Sequence, residues 1–230
     1  MTSSFSVIIP AFNSASTIEL AINSCLNQSL KPYEIIIIDD CSVDNTFDIV
    51  RNIQSSLNCE SYIRLLSTNC NSGPAIARNL GWNIAVGDYI SFLDSDDQWH
   101  PQKLESINAV LDQNAYIQVL GHCNRNANKQ TQLKQISRLS ILIKNFCITP
   151  NLIFKNEVKE RFDENMHYTE DHDLLLRIAE RYQVYKLVGA GIPTDLGRRP
   201  MTAGGLSGNR FLMRLGELYM YKKFLMKNLA

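Results

Sequence analysis

Apolar positions along the first half of the chain alternate between two periods. Phe5–Pro10 (F-S-V-I-I-P) reads as a strand, and Ser16-Thr17-Ile18-Glu19 has the form of a capping box opening a helix to about Gln28. Glu34–Asp39 (E-I-I-I-I-D) is apolar and β-branched on both faces, as a strand covered on both sides must be. A helix from about Asp44 to Leu57, a strand Tyr62–Leu66, a helix Pro74–Val86, a strand Tyr89–Leu93, a helix Pro101–Gln113 and a strand Ile117–His122 follow. Strands alternating with helices of this length predict βαβ units, hence an α/β fold with a mostly parallel sheet and helices on both faces.

The second half is less regular. Asn124–Gln135 is polar and reads as a surface excursion, Ile148–Phe154 as a strand, Asp171–Tyr182 as a helix and Tyr185–Val188 as a short strand. Residues 189–209, rich in Gly and Pro, predict a mobile loop. Asn209–Leu229 predicts an amphipathic helix with five bases (Arg210, Arg214, Lys222, Lys223, Lys227) against Glu217. No repeat or boundary divides the 230 residues, so 1–230 is expected to be a single domain: a regular half 1–112, a less regular half 113–208 and a terminal helix 209–230.

Charge sharpens that division. The net charge is zero, but residues 1–112 hold 5 Lys/Arg against 13 Asp/Glu, a net of −8, and residues 113–230 hold 18 against 10, a net of +8. An acidic half suits a cation; a basic half suits phosphates or an anionic membrane surface. The six cysteines (Cys25, Cys41, Cys59, Cys70, Cys123, Cys147) form no CxxC pair and no zinc spacing, so free thiols and a reducing, cytoplasmic location are expected. Met1–Phe5 shows no charged region of a signal peptide, and no apolar run approaches the ~20 residues of a membrane span. Contact with the inner face of the cytoplasmic membrane stays open through the basic half, as does pairing of the C-terminal helix with its copy in a homodimer.

Chemistry-bearing residues gather where the strands end. A Rossmann-type layout puts ligands beyond the carboxyl ends of its strands, and those ends carry Pro10–Asn13, Asp39–Asp40 and Asp94–Asp97. Three carboxylates in Asp94-Ser95-Asp96-Asp97 repel one another unless a cation or helix N-termini neutralise them; hard oxygen ligands suit Mg²⁺ or Mn²⁺. The plainer reading is an acidic turn capping the next helix. Asp39-Asp40 fits hydrogen bonds to a base or ribose, or a simple βα turn. In Asn71-Ser72-Gly73-Pro74 the glycine allows close backbone approach, and Arg78 one turn on reaches for a phosphate or for solvent. Thr169-Glu170-Asp171-His172-Asp173 supplies a general base or merely an acidic helix start. Arg198-Arg199, on the Gly-rich loop, suits closure over a diphosphate or plain solvation. His100, His122, His167 and His172 lack metal-ligand spacing.

S-V-I-I-P-A-F-N, I-I-I-I-D-D-C-S-V-D-N-T, N-S-G-P-A-I-A-R-N-L-G and G-D-Y-I-S-F-L-D-S-D-D, in this order, resemble the donor-binding half of the family 2 inverting glycosyltransferases of GT-A fold. T-E-D-H-D-L-L-L-R resembles that family's acceptor-side motif, so the likeness reaches about residue 180. It implies a donor half 1–112 and an acceptor half 113–208. It also implies Pro10, Phe12 and Asp40 at the nucleobase and ribose, Asp94 on the ribose side, Asp96 on Mn²⁺ or Mg²⁺, Arg199 on the closing loop and Asp171 as catalytic base; Asn13, Gly73, Pro74, Arg78 and Ser95 are further expected donor contacts.

The reaction then implied is inverting transfer of a hexose or N-acetylhexosamine. The donor is a nucleotide-sugar (a UDP-sugar is favoured), and the acceptor a hydroxyl of a glycan or lipid-diphosphate-linked glycan in cell-surface polysaccharide synthesis. Nucleic acid is not an expected partner. Other classes compete. A sugar-nucleotidyltransferase usually shows a Gly-rich basic loop after the first strand, where this chain has P-A-F-N-S-A-S. A dinucleotide oxidoreductase lacks its GxGxxG and a P-loop enzyme its GxxxxGK[ST]. A non-catalytic nucleotide-sugar-binding or scaffold protein would release no nucleoside diphosphate.

Overall fold

The structure, a computed structural model, describes residues 3–57, 61–123, 132–188 and 210–229. Eight strands form one mixed sheet: β1 (Phe5–Ala11), β2 (Glu34–Asp39), β3 (Ile63–Ser67), β4 (Tyr89–Phe92), β5 (Val119–Cys123), β6 (Gln132–Ile136), β7 (Leu152–Lys155) and β8 (Val184–Val188). Their order is β3-β2-β1-β4-β7-β5-β8-β6. The first four run parallel; β7 is antiparallel to β4 and β5, β8 is parallel to β5, and β6 is antiparallel to β8. The chain moves outward from β1 to β3 and then returns to β1's other side for β4. That reversal makes a topological switch point between the carboxyl ends of β1 and β4, the place where open α/β sheets form their ligand crevice.

Strand parity sorts the core. Val7, Ile9, Ile35 and Ile37 face α1 (Ile18–Leu26), α2 (Thr46–Leu57) and α4 (Lys103–Gln113). Ile8, Ile36, Ile38, Ile90 and Phe92 face α3 (Pro74–Ile84), α6 (Glu170–Ile178) and Met220 of α7 (Arg210–Leu229). All four isoleucines of β2 are fully buried, which is why this strand has no polar face; each contributes ~1.5–3 kcal/mol. α3 lies close on β1 because Gly81 leaves room: a Cβ there would meet Ile8 Cγ2 at 2.5 Å.

Several expectations need correction. The capping box does not form: Thr17 is the N-cap without a side-chain capping bond, its hydroxyl donating back to the Ser14 carbonyl, which also takes the N–H groups of Thr17 and Ile18 at 2.9 Å. Asp44 precedes α2 rather than starting it, accepting from Thr46 N–H at 3.0 Å. The last residues of the polar stretch 124–135 belong to edge strand β6, and a short helix α5 (Arg138–Ile143) follows unforeseen. The strand expected at 148–154 begins as a 3-10 turn, Thr149–Asn151, where Pro150 has no N–H for a ladder. The stretch 189–209, with Arg198 and Arg199, lies outside the described residues.

Candidate active site

Hydrogen bonds between loops assemble the strand ends. Asn13 sits at φ 49°, in the left-handed region that Asn tolerates. Its N–H donates to Ser42 Oγ (2.9 Å) and its Oδ1 accepts from Val43 N–H (2.9 Å), tying the end of β1 to the turn after β2. Ser14 N–H donates to Thr46 Oγ1 at 2.7 Å, and Ala15 N–H to Asp44 at 3.0 Å. The Ser14 and Ser95 hydroxyls share a hydrogen bond of 2.7 Å, which joins β1's loop to the acidic turn after β4 across the crevice. Phe12 stands at the rim, 43% exposed, with Pro10 partly buried behind it.

Asp40, expected to face a ribose or base, is buried and bonded to the chain itself. Oδ1 accepts from Thr68 Oγ1 (2.8 Å) and Ser72 N–H (3.0 Å); Oδ2 accepts from Gly73 N–H (2.7 Å) and again from Ser72 N–H (3.1 Å). A carboxylate has about four acceptor directions, and three donors, one of them shared by both oxygens, take up most of them. They fix Gly73 at φ 90° as N-cap of α3, with Pro74 as its first residue. Neighbouring Asp39 differs: its Oδ2 accepts from Ser42 N–H at 3.3 Å, and its buried Oδ1 has no partner among the described residues.

Arg78 joins the acidic motifs. It is buried; Nη2 donates to Asp94 Oδ1 and Nη1 to Glu170 Oε1, each at 2.9 Å, and the guanidinium lies 5.5 Å from the Phe162 ring centroid. Both terminal nitrogens therefore serve carboxylates instead of a phosphate or solvent. One cation thus brings the turn after β4 and the start of α6 to within its own width of each other, although 76 residues separate Asp94 from Glu170.

Asp171 follows at the first turn of α6. Its Oδ1 accepts from His172 N–H (2.7 Å) and its Oδ2 from Asn145 Nδ2 (3.1 Å). Burial pushes its carboxyl above the ordinary value, outweighing the His172 N–H, Asn145 and Arg78, which pull it down. Glu170 is also raised, by burial, against the pull of Arg78 and with the push of Asp171. Two acids with raised proton affinity at the head of one helix suit proton transfer.

Asp96 is exposed, and Asp94 is 34% exposed at its side chain. Among the described residues no group of three or more His, Cys, Asp or Glu converges on a point. That donor set fits a hard divalent cation held through one or two carboxylates, with diphosphate oxygens and waters as its other ligands, and does not fit an all-protein cage. The sequence did not single out Asn145, because nothing local marks a contact 26 residues away, nor give Glu170 or Asp39 a role, though both lie within motifs it did flag.

Comparison with known proteins covers most of the chain. The family model "Glycosyl transferase family 2" matches residues 6–180. An uncharacterized glycosyltransferase of Haemophilus influenzae is 37% identical over 179 residues, covering 74% of this chain and 70% of the relative. An Escherichia coli protein, UDP-Glc:alpha-D-GlcNAc-diphosphoundecaprenol beta-1,3-glucosyltransferase WfaP, is 44% identical over 101 residues, 44% of this chain and 38% of that one. The crystal structure of S. aureus TarS in complex with UDP-GlcNAc superposes with a TM-score of 0.72 at 24% identity, covering 93% of this chain and 65% of that chain, which shows the GT-A fold. The chain thus spans from under half to about seven tenths of the length of these proteins.

Proposed function

The chain belongs to glycosyl transferase family 2, and from that premise we propose that it moves a sugar from a nucleotide-diphosphate donor, a UDP-sugar by preference, to a hydroxyl of a glycan or lipid-diphosphate-linked glycan, with inversion. The observation that carries this reading is the single guanidinium of Arg78 shared by Asp94 and Glu170. In this reading it holds a donor-side acid beside the helix start that carries the base, Asp171, one residue after Glu170. The WfaP relative's name gives a UDP-sugar donor and a diphosphoundecaprenol-linked acceptor, which supports a UDP-sugar donor and a lipid-diphosphate-linked acceptor here.

In this reading Pro10, Phe12 and Asn13 form the donor's nucleoside rim with Gly73 and Pro74, and Asp94 with Ser95 fixes the turn against which the diphosphate lies. Asp96 would hold Mn²⁺ or Mg²⁺, which supplies Lewis-acid neutralisation of the departing diphosphate. The acceptor O–H gives its proton to a free lone pair of Asp171. The acceptor oxygen bonds to the anomeric carbon as the bond from that carbon to the phosphate oxygen breaks, and the nucleoside diphosphate leaves with the electron pair. One displacement through an oxocarbenium-like transition state inverts the centre. Asn145 and the His172 N–H hold the carboxylate in place, and its raised pKa makes it a stronger base than an ordinary aspartate.

Release of nucleoside diphosphate tests the reading. A screen of nucleotide-sugars with Mn²⁺ and an acceptor glycan should find one donor that is consumed, and Asp96→Ala should abolish the metal dependence of donor binding. A variant with parental donor affinity both with and without metal removes Asp96 from this role. Release no greater than background with every donor makes the chain a binding module.

A further inference from the structure

α7 turns an apolar stripe to solvent. Phe211, Leu215, Leu218, Tyr219, Leu225 and Met226 are between 45% and 71% exposed. Positions 211, 215, 218, 222 and 225, spaced four and three apart, run along one flank of the helix. Met220 faces the core from the opposite flank, and a Cβ on Gly216 would meet Tyr168 Cβ at 2.8 Å. α5 lies alongside: Tyr221 O–H donates to the Leu142 carbonyl at 3.0 Å, and Arg138 stacks on Phe224 at 4.8 Å. It adds Leu139 and Ile143, exposed by 66% and 73%.

Bases accompany these apolar groups. Lys222 lies within the stripe, Arg214 is 78% exposed, and Lys223 follows Tyr219 by one turn. On the Lys223 side a cavity of about 450 Å³ opens, lined by five bases, including Lys159; Arg181 pairs with Glu160, Arg177 with Asp173 and Lys223 with Asp163 and Asp173, which leaves the five bases in excess over these three acids. α7 itself carries five bases and one acid, Glu217, which Arg214 already holds. A second copy is a poor occupant: Lys222 lies within the stripe, so pairing stripe on stripe would carry an ammonium from each copy into an apolar seam. An anionic lipid surface answers both the apolar stripe and the charge.

We propose that α5 and α7 seat the chain on an anionic phospholipid bilayer. The stripe enters the acyl boundary, Lys222 extends its ammonium back to the headgroups, and the basic cavity meets the lipid phosphates. No described helix is long and apolar enough to cross a membrane, so the helix lies in the plane of the interface. The inference rests on the shape and charge of α5 and α7, not on the transfer reaction.

Flotation of the whole chain with vesicles of equal parts phosphatidylglycerol and phosphatidylcholine, and with phosphatidylcholine alone, tests it. Binding is expected on the anionic vesicles and is expected to weaken with salt. The double variant Leu218→Glu/Leu225→Glu should bind about tenfold less or weaker still. Lys159→Gln and Arg181→Gln should each cost about fivefold, the equivalent of ~1 kcal/mol per base near an anionic surface. Leu218 and Leu225 are exposed, so the double variant should unfold at the parental temperature and release nucleoside diphosphate normally without vesicles. The proposal falls if anionic vesicles do not bind, if the double variant floats like the parent, or if sedimentation shows a dimer that the double variant dissociates.

Discussion

At the scale of single residues, Asp171 carries the sharpest expectations. Asp171→Asn keeps the side chain's size and its bond from His172 N–H, so donor affinity should stay within a factor of about two while kcat falls by about 10²–10⁴. Calorimetry with donor and a turnover assay check the two halves separately. The pH dependence has a defined sign. Burial raises this carboxyl, so its protonated form is favoured in the fold; stability from it is present below the ordinary carboxylate value and lost as pH rises through the folded one. Turnover needs the opposite form. kcat/KM should therefore show an acid limb above the ordinary aspartate value, and a limb at or below that value contradicts the assignment. Arg78→Met strands two partly buried carboxylates and should cost ~3–5 kcal/mol in urea unfolding, with Glu170→Gln in the same chain restoring part of it. The motifs that hold Asp94 and Asp171 are plain in the sequence, because carboxylates crowd only where something neutralises them. That the neutraliser is Arg78 is not legible there. A helix arginine looks alike whether it meets a phosphate, water or two acids from distant loops.

Among elements, the ones easiest to read are those whose burial is one- or two-sided in a regular way. β2 announces itself with four isoleucines, and α3 with Gly73-Pro74 ahead of an apolar face. β6 (Q-L-K-Q-I) escapes, since an edge strand paired on one side only needs little apolar content. The first helix forms where the sequence predicts it but without the capping box: its start is governed by the Ser14 carbonyl and by Asp44, a residue from the next loop. Contact between elements gives another prediction. Gly81→Ala improves intrinsic helix propensity by ~1 kcal/mol but drives a methyl into Ile8, so net destabilisation of ~1–3 kcal/mol is expected. Ile8→Ala in that background should cost less than the sum of the two single changes, a coupling that thermal denaturation can measure.

Over the whole molecule, the basic half is held to itself by ion pairs with its own acids as well as by the shared sheet. Lys223 of α7 reaches both Asp163 and Asp173, the latter on α6. Burial raises Asp163, but Lys223 and the Asn165 amides outweigh it and hold the carboxyl below its usual value. Such a group stabilises above the ordinary carboxylate value, and that contribution disappears as pH falls through the lowered one. Hydrogen exchange in 210–229 should accordingly rise in acid before the sheet opens, and Lys223→Gln should bring that onset to higher pH. Asp40 has a kinetic corollary. With three donors already crowding its two oxygens, it takes a sugar-nucleotide hydroxyl in competition with Thr68, Ser72 or Gly73. Gly73 begins the helix on which Arg78 rides, so such an exchange would tug at the cation between Asp94 and Glu170. Substrates would then arrive in compulsory order, donor before acceptor, and product-inhibition patterns should find the free nucleotide competing with the donor alone.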